Sequence, residues 1–198
     1  NRCYGSSPDT VARMGRAVAE GLITGGVVPV LKHIPGHGAA DLDSHLDLPH
    51  VSLPRDQLTA QDFAPFRALA ELPFAMTAHI VYDAIDPDAP ATTSATMIDL
   101  IRDEIGFKGV LMSDDISMQA LSGTIIERST AAMAAGCDLV LHCNGDMAEM
   151  IEVAGAVGTI SDKAALAASA GLALRANPAE NVAMLSDEWA TMMAALDT

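Results

Sequence analysis

The sequence predicts an α/β protein, a parallel β-sheet covered by helices, and three observations predict it. Short apolar runs recur along the chain, amphipathic segments with helical spacing alternate with them, and glycines stand at the joints between the two. Strands that are apolar throughout, rather than on alternate residues, are those buried on both faces, as parallel strands are. A closed (β/α)8 barrel and an open doubly wound sheet both satisfy this pattern, which does not choose between them.

The elements follow in order. Ser7 before Pro8 and Asp9 is a helix-start signal, and Val11, Met14, Val18 and Leu22 recur at helical spacing until Gly25-Gly26. Val27 to Leu31 reads as the first strand, which puts Lys32 and His33 at its carboxyl end. Pro29 is discordant there, because proline removes a ladder hydrogen bond. A helical stretch lies within Asp56 to Glu71, and Phe74 to Ile80 is the second strand. Ser94 caps a helix presenting Met97, Ile98, Ile101 and Ile105 and ended by Gly106. Gly109 to Ser113 is the third strand, Glu127 to Ala135 an alanine-rich helix closed by Gly136, and Asp138 to Leu141 the fourth strand. Helices follow over Asp146 to Val157 and Asp162 to Arg175, then an amphipathic tail carries Trp189, Met192, Met193 and Leu196. If the sheet closes into a barrel, Val28, Met76 and Leu111 are expected to face its interior.

Half of the 198 residues are hydrophobic, enough for one sizeable core. A net charge of −15 argues against nucleic acid or an anionic membrane as partner, since a phosphate surface would be repelled. No run approaches 18 uninterrupted apolar residues, and the first residues lack the basic-then-apolar layout of a signal peptide. Cys3, Cys137 and Cys143 are an odd set without Cys-x-x-Cys spacing, which suggests a reduced compartment rather than a disulfide framework or a thiolate zinc site.

The richest chemistry lies in Leu31-Lys32-His33-Ile34-Pro35-Gly36-His37-Gly38 and the following Asp43-Ser44-His45. Asp43 and His45 are spaced so that a carboxylate can hold an imidazole if the backbone turns, giving a base oriented by an acid. A metal site competes, because His33, His37, Asp43, His45 and His50 fall within eighteen residues and zinc needs three such ligands. Against it, no His-Glu-x-x-His or His-x-His pair occurs, and metal would leave Ser113-Asp114-Asp115 without a role. Either aspartate is an acceptable nucleophile on sequence grounds alone.

The Lys-His-x-Pro-Gly-His-Gly run followed by Asp-Ser-His resembles the signature of the family 3 glycoside hydrolases, in their bacterial β-N-acetylglucosaminidase branch. Gly109 to Met118 is similar to the nucleophile strand of that branch, with Ile116 where leucine is usual. Thr77-Ala78-His79-Ile80 and Ala91-Thr92-Thr93-Ser94 resemble family stretches as well. The resemblance covers roughly residues 1 to 160 and implies a (β/α)8 TIM barrel, of which residues 1–198 supply the last four βα units and C-terminal helices as part of one catalytic domain. It implies a retaining exo-β-N-acetylglucosaminidase with Asp114 as nucleophile and His45, oriented by Asp43, as acid/base. Arg2, Lys32 and His33 match positions that hydrogen-bond sugar hydroxyls, while His79 and Met118 line the pocket; Asn1 and Tyr4 depart from the usual aspartate and phenylalanine. The implied partner is a small carbohydrate, an N-acetylglucosamine-containing muropeptide, turned over in the cytoplasm without cofactor or metal. A catalytically silent sugar-binding barrel is a further alternative, against which Asp114, Asp43 and His45 argue. The site would be complete only with an amino-terminal half of the barrel.

Overall fold

A computed structural model of the chain describes residues 4–40, 48–175 and 182–196. Arg2, Asp43 and His45 lie outside them. Helix α1 (Pro8–Thr24) opens where Ser7 Oγ accepts the Thr10 N–H at 3.3 Å, with Pro8 in the first turn, where its missing N–H costs nothing. It closes as Gly25 N–H returns to Gly21 O. The stripe Met14, Val18 and Leu22 is 38–43% exposed, and α1 instead packs through Ala19, which clusters with Leu69, Leu72 and Leu31.

Strand β1 (Val30–Ile34) begins three residues later than the apolar run suggests. Pro29 has no N–H to give a ladder, so pairing starts beyond it, and Lys32 and His33 belong to the strand itself. Next come β2 (His50–Val51), α2 (Arg55–Ala60), α3 (Ala64–Ala68), β3 (Phe74–Thr77) and β4 (Val81–Tyr82). The single helix expected within Asp56 to Glu71 is thus two, because Pro65 in the first turn of α3 favours a fresh start over continuation. The second main strand ends at Thr77 rather than Ile80, and the chain soon pairs elsewhere: β2 and β4 form a separate two-stranded parallel sheet.

Helix α4 (Ala95–Asp103) is capped by Ser94, and β5 (Val110–Asp115) runs two residues further than expected, taking both aspartates into the strand. Helix α5 (Ile125–Ala135) has a reciprocal capping box between Thr124 and Glu127, and Gly136, at φ 114°, ends it. The remaining elements are β6 (Leu139–Leu141), α6 (Met147–Val157), α7 (Asp162–Leu172) and α8 (Val182–Leu196). No described helix is long and apolar enough to cross a membrane.

The main sheet is entirely parallel, in the order β1-β3-β5-β6. Each strand is laid beside the one before it with no reversal, as in a barrel and unlike a doubly wound sheet with its switch point. Ala75 and Leu111, paired across β3 and β5, turn into one core with Met97, Ile98 and Ile101 of α4 and Ala132 of α5. Leu111 therefore faces the helices rather than the sheet interior. Met76 and Met112, the next pair, point the other way, and Asp114, two residues on, shares their face. At the opposite end of the strands, Gly171 of α7 lies so close to Phe74 that an added Cβ would sit 2.6 Å from its ring.

Candidate active site

The carboxyl ends of the four parallel strands bring Lys32, His33, His79, Asp114, Asp115 and Cys143 to one rim. Between β1 and β3 the register passes from Lys32↔Met76 to Ile34↔Thr77, a bulge-like shift that falls at His33. A bulge of this kind re-aims a side chain, and His33 Nε2 lies 3.5 Å from Asp114 Oδ2. Its ring also meets His37 edge-on, with centroids 5.7 Å apart.

The two aspartates, adjacent on one strand, are held in different ways. Asp115 accepts the Ser117 N–H at 3.1 Å, the Ser117 hydroxyl at 2.8–2.9 Å and the Cys143 N–H at 3.1 Å. It fastens the turn after β5 to the end of β6. Asp114 Oδ1 accepts the Asp115 N–H at 2.8 Å, whereas Oδ2 meets only His33 among the described residues. A carboxylate anchored through one oxygen with the other presented is suited to attack, while one saturated by its surroundings is suited to support.

His79 is fully buried behind this strand end. Its Nε2 lies 3.0 Å from the Asp115 carbonyl, which can only accept, so Nε2 carries a proton. Burial holds the ring below its ordinary pKa, which leaves Nδ1 as a lone pair accepting the Thr92 hydroxyl at 2.7 Å. Thr77 in turn donates to Thr92 over 2.8 Å. The chain Thr77–Thr92–His79 thereby fixes one tautomer and locks the backbone of the second aspartate. Neither ring nitrogen is left to face a ligand.

Met118 is buried, donates its N–H to Asp115 O at 3.1 Å, and gives its carbonyl to Arg128. Burial, then the charges of Asp115 and Asp114, raise the Cys143 thiol, with Lys32 opposing, so the thiol stays protonated. His142 and Asn144 turn away from this rim, both onto Glu149 of α6, at 2.8 and 2.6 Å. Among the described residues no three His, Cys, Asp or Glu side chains converge to hold a metal. His50, without support in any motif, pairs with Asp83 at 3.0 Å. Two surface clefts, one lined by Arg55, Ile85 and Asp99 and another by Pro73, Gly109 and Gly171, include none of the rim residues. Sequence reasoning missed Asp62 and Tyr82, which hold the Pro35–Gly38 turn; neither stands in a recognisable motif.

A parallel sheet in chain order, with its polar side chains gathered at the carboxyl ends, defines a barrel-type α/β domain with a polar rim where such domains carry their sites. Residues 1–175 match the glycosyl hydrolase family 3 N terminal domain, and the chain belongs to that family. A β-hexosaminidase of Alkalilimnicola ehrlichii is 44% identical over 149 residues, covering 73% of this chain and 42% of that protein. One from Neisseria gonorrhoeae is 41% identical over 148 residues, covering 73% and 41%. Among solved structures, NagZ from Neisseria gonorrhoeae in complex with N-trifluoroacetyl-D-glucosamine superposes with TM-score 0.76 at 34% identity, over 93% of this chain and 53% of that one. A family 3 β-N-acetylglucosaminidase from Paenibacillus superposes with TM-score 0.79 at 32% identity, over 90% and 37%. The chain spans about two fifths of the length of the curated relatives it matches.

Proposed function

We propose that this chain carries the catalytic rim of a retaining exo-β-N-acetylglucosaminidase, with Asp114 as nucleophile. The observation that supports this reading best is the contrast between the adjacent aspartates, one saturated by its surroundings and the other presenting Oδ2 beside His33. Asp114 Oδ2 attacks the anomeric carbon, the glycosidic C–O bond breaks, and His45 gives its proton to the departing oxygen. Water then attacks the glycosyl-enzyme, His45 takes its proton, and the sugar leaves with its configuration retained. Asp43 orients the imidazole, a group that in general can serve as both acid and base near neutral pH without the burial a carboxylic acid would need. Lys32, His33 and Arg2 bind hydroxyls and Met118 closes the wall; His79 acts through the Asp115 carbonyl.

The four main strands described are half of what barrel closure requires. We take the remaining units and the N-acetyl contacts to be supplied by an amino-terminal half of the same domain. The names of the relatives support an N-acetylhexosamine-containing glycoside as substrate, and the family resemblance implies a terminal N-acetylglucosamine on a muropeptide, turned over in the cytoplasm.

A fluorinated N-acetylglucosaminide that traps the glycosyl-enzyme tests the assignment. Peptide mass mapping of the full-length polypeptide should place the label on Asp114, with or without chelator present. Label on Asp115, or turnover abolished by chelator, overturns it.

A further inference from the structure

Asp114 stands where the strand ladder gives out. β3 pairs with β5 as far as Met112. On the other side the register passes from Met112↔Leu139 to Asp115↔Leu141, a shift that places Asp114 inside an irregular stretch. Side chains take over from the ladder there. His79 holds the Asp115 carbonyl on the β3 side. On the β6 side, Ser113 Oγ accepts the Leu141 N–H at 3.0 Å, Asp115 Oδ1 accepts the Cys143 N–H at 3.1 Å, and Ile116 N–H reaches Leu141 O at 2.8 Å. Residues 141–143 therefore support one flank of Asp114, and His142 is the middle one.

His142 is a poor choice for packing alone. Its side chain is 5% exposed, and Nδ1 is enclosed with no hydrogen-bond partner among the described residues. Burying such a nitrogen unpaired is destabilising, and an aliphatic side chain would avoid it. The imidazole works through its other nitrogen: Nε2 donates to Glu149 Oε2 at 2.8 Å, and Asn144 Nδ2 donates to the same oxygen at 2.6 Å. These two donors, His142 first, hold the Glu149 carboxyl below its ordinary pKa, so it is ionised and only accepts. Asn144 Oδ1 also takes the Asp146 N–H at 2.8 Å, and Asp146 caps α6 by accepting the Ala148 and Glu149 N–H groups at 2.8 and 3.2 Å. One carboxylate oxygen thus ties His142 and Asn144 to the first turn of α6, a helix fixed in the core by Val153.

We propose that His142, Glu149 and Asn144 are positioning residues that lock the end of β6 to α6 and so set, through Asp115, the placement of Asp114. The proposal rests on the reading of Asp114 as nucleophile. A misplacement of about 1 Å costs roughly 100-fold in rate. Because the lock bears on the attacking group and on no part of the sugar, its loss slows formation of the glycosyl-enzyme without weakening binding.

The test uses the full-length polypeptide and the fluorinated N-acetylglucosaminide that traps the glycosyl-enzyme. Glu149→Ala should lower the saturating rate of trapping by about 10- to 100-fold, with the half-saturating concentration within about 2-fold of the parent. The urea midpoint should change little, since the carboxylate is 39% exposed. Glu149→Gln, whose amide oxygen can take both donors, should recover to within about 3-fold of the parent rate. His142→Phe should repeat the Glu149→Ala loss, and the Glu149 pair keeps the idea testable if phenylalanine disturbs folding. Added to Asp115→Ala, Glu149→Ala should cost less than it does alone, because the lock reaches Asp114 through the Asp115 carboxylate. Parent-like trapping in both Glu149→Ala and His142→Phe, losses that multiply in full with Asp115→Ala, or a loss confined to the half-saturating concentration overturns the lock alone. Label on Asp115 in the parent overturns the nucleophile reading and the lock with it.

Discussion

The two ends of the central sheet use the same charged groups in opposite ways. At the amino-terminal end, Arg102 of α4 reaches Asp138 at 2.7 Å, Gly109 O at 2.7 Å and Phe107 O at 3.3 Å, while its guanidinium covers the Phe107 ring at 5.6 Å. Asp138 also takes the Leu111 N–H at 2.9 Å, so the pair ties the start of β5 to that of β6. At the carboxyl end, Asp114 and His33 approach only to 3.5 Å, and one carboxylate oxygen is left without a close donor among the described residues. Among the described residues, the carboxylate that braces the strand starts is saturated, whereas Asp114 keeps one oxygen beside only His33. Folding stability alone would favour saturation at both ends, and that difference is what the proposed role of Asp114 rests on.

Substitutions at the two ends should separate activity from stability. Asp114→Ala in the full-length polypeptide should lower turnover by about 10⁴-fold or more, equivalent to about 5.5 kcal/mol at 1.36 kcal/mol per decade, with its urea midpoint unchanged. Asp115→Ala should cost less in turnover and more in stability, because it releases Ser117 and Cys143. A reversed ranking would break the contrast. Arg102→Ala should do the opposite of Asp114→Ala, leaving Asp138 half-buried without its cation at a cost of about 3 kcal/mol in equilibrium unfolding. An unfolding free energy within about 0.5 kcal/mol of the parent would show the brace to be ornamental, as many exposed pairs are.

The smallest effect concerns His79. Its folded-state pKa lies below 6.5, so below pH 6.5 the unfolded chain takes up a proton that the folded one refuses. Its contribution is fully present above pH 6.5 and is lost as pH falls from there toward the folded value. His79→Gln should flatten the stability profile over that interval. A profile as steep as the parent's would assign the acid sensitivity to other groups.

How much of this was legible in the sequence differs element by element. Apolar runs and glycine stops located all four main strands, because those signals are local. Their ends shifted for identifiable reasons: Pro29 delayed β1, and β5 ran on through Asp115 since nothing in Ser-Asp-Asp forbids an extended backbone. The Thr124-x-x-Glu127 capping box was written in the chain, and α5 starts with it, two residues before Glu127. Two-residue strands such as β2 and β4 carry no periodicity and cannot be read. The same holds for the His33 bulge, which exists only relative to β3, and for the exposed Met14–Leu22 stripe, whose burial depends on neighbours rather than spacing. Lys32, His33, Asp114 and Asp115 were legible as a set because motifs record chemistry; Asp62 and Tyr82 were not, because tethering can be done from anywhere.

The chain-order succession β1-β3-β5-β6 has a bearing on how the molecule is made. Strands β3, β5 and β6 each find a partner among residues already synthesised, about 44, 36 and 27 positions back. The entropy of closing such connections grows only with the logarithm of their length, so each addition carries a similar cost. On a ribosome adding about 5–20 residues each second, each βα unit has seconds to dock on its predecessor before the next emerges. The sheet can then grow as a ratchet, one rung at a time, with each docked rung the template for its successor.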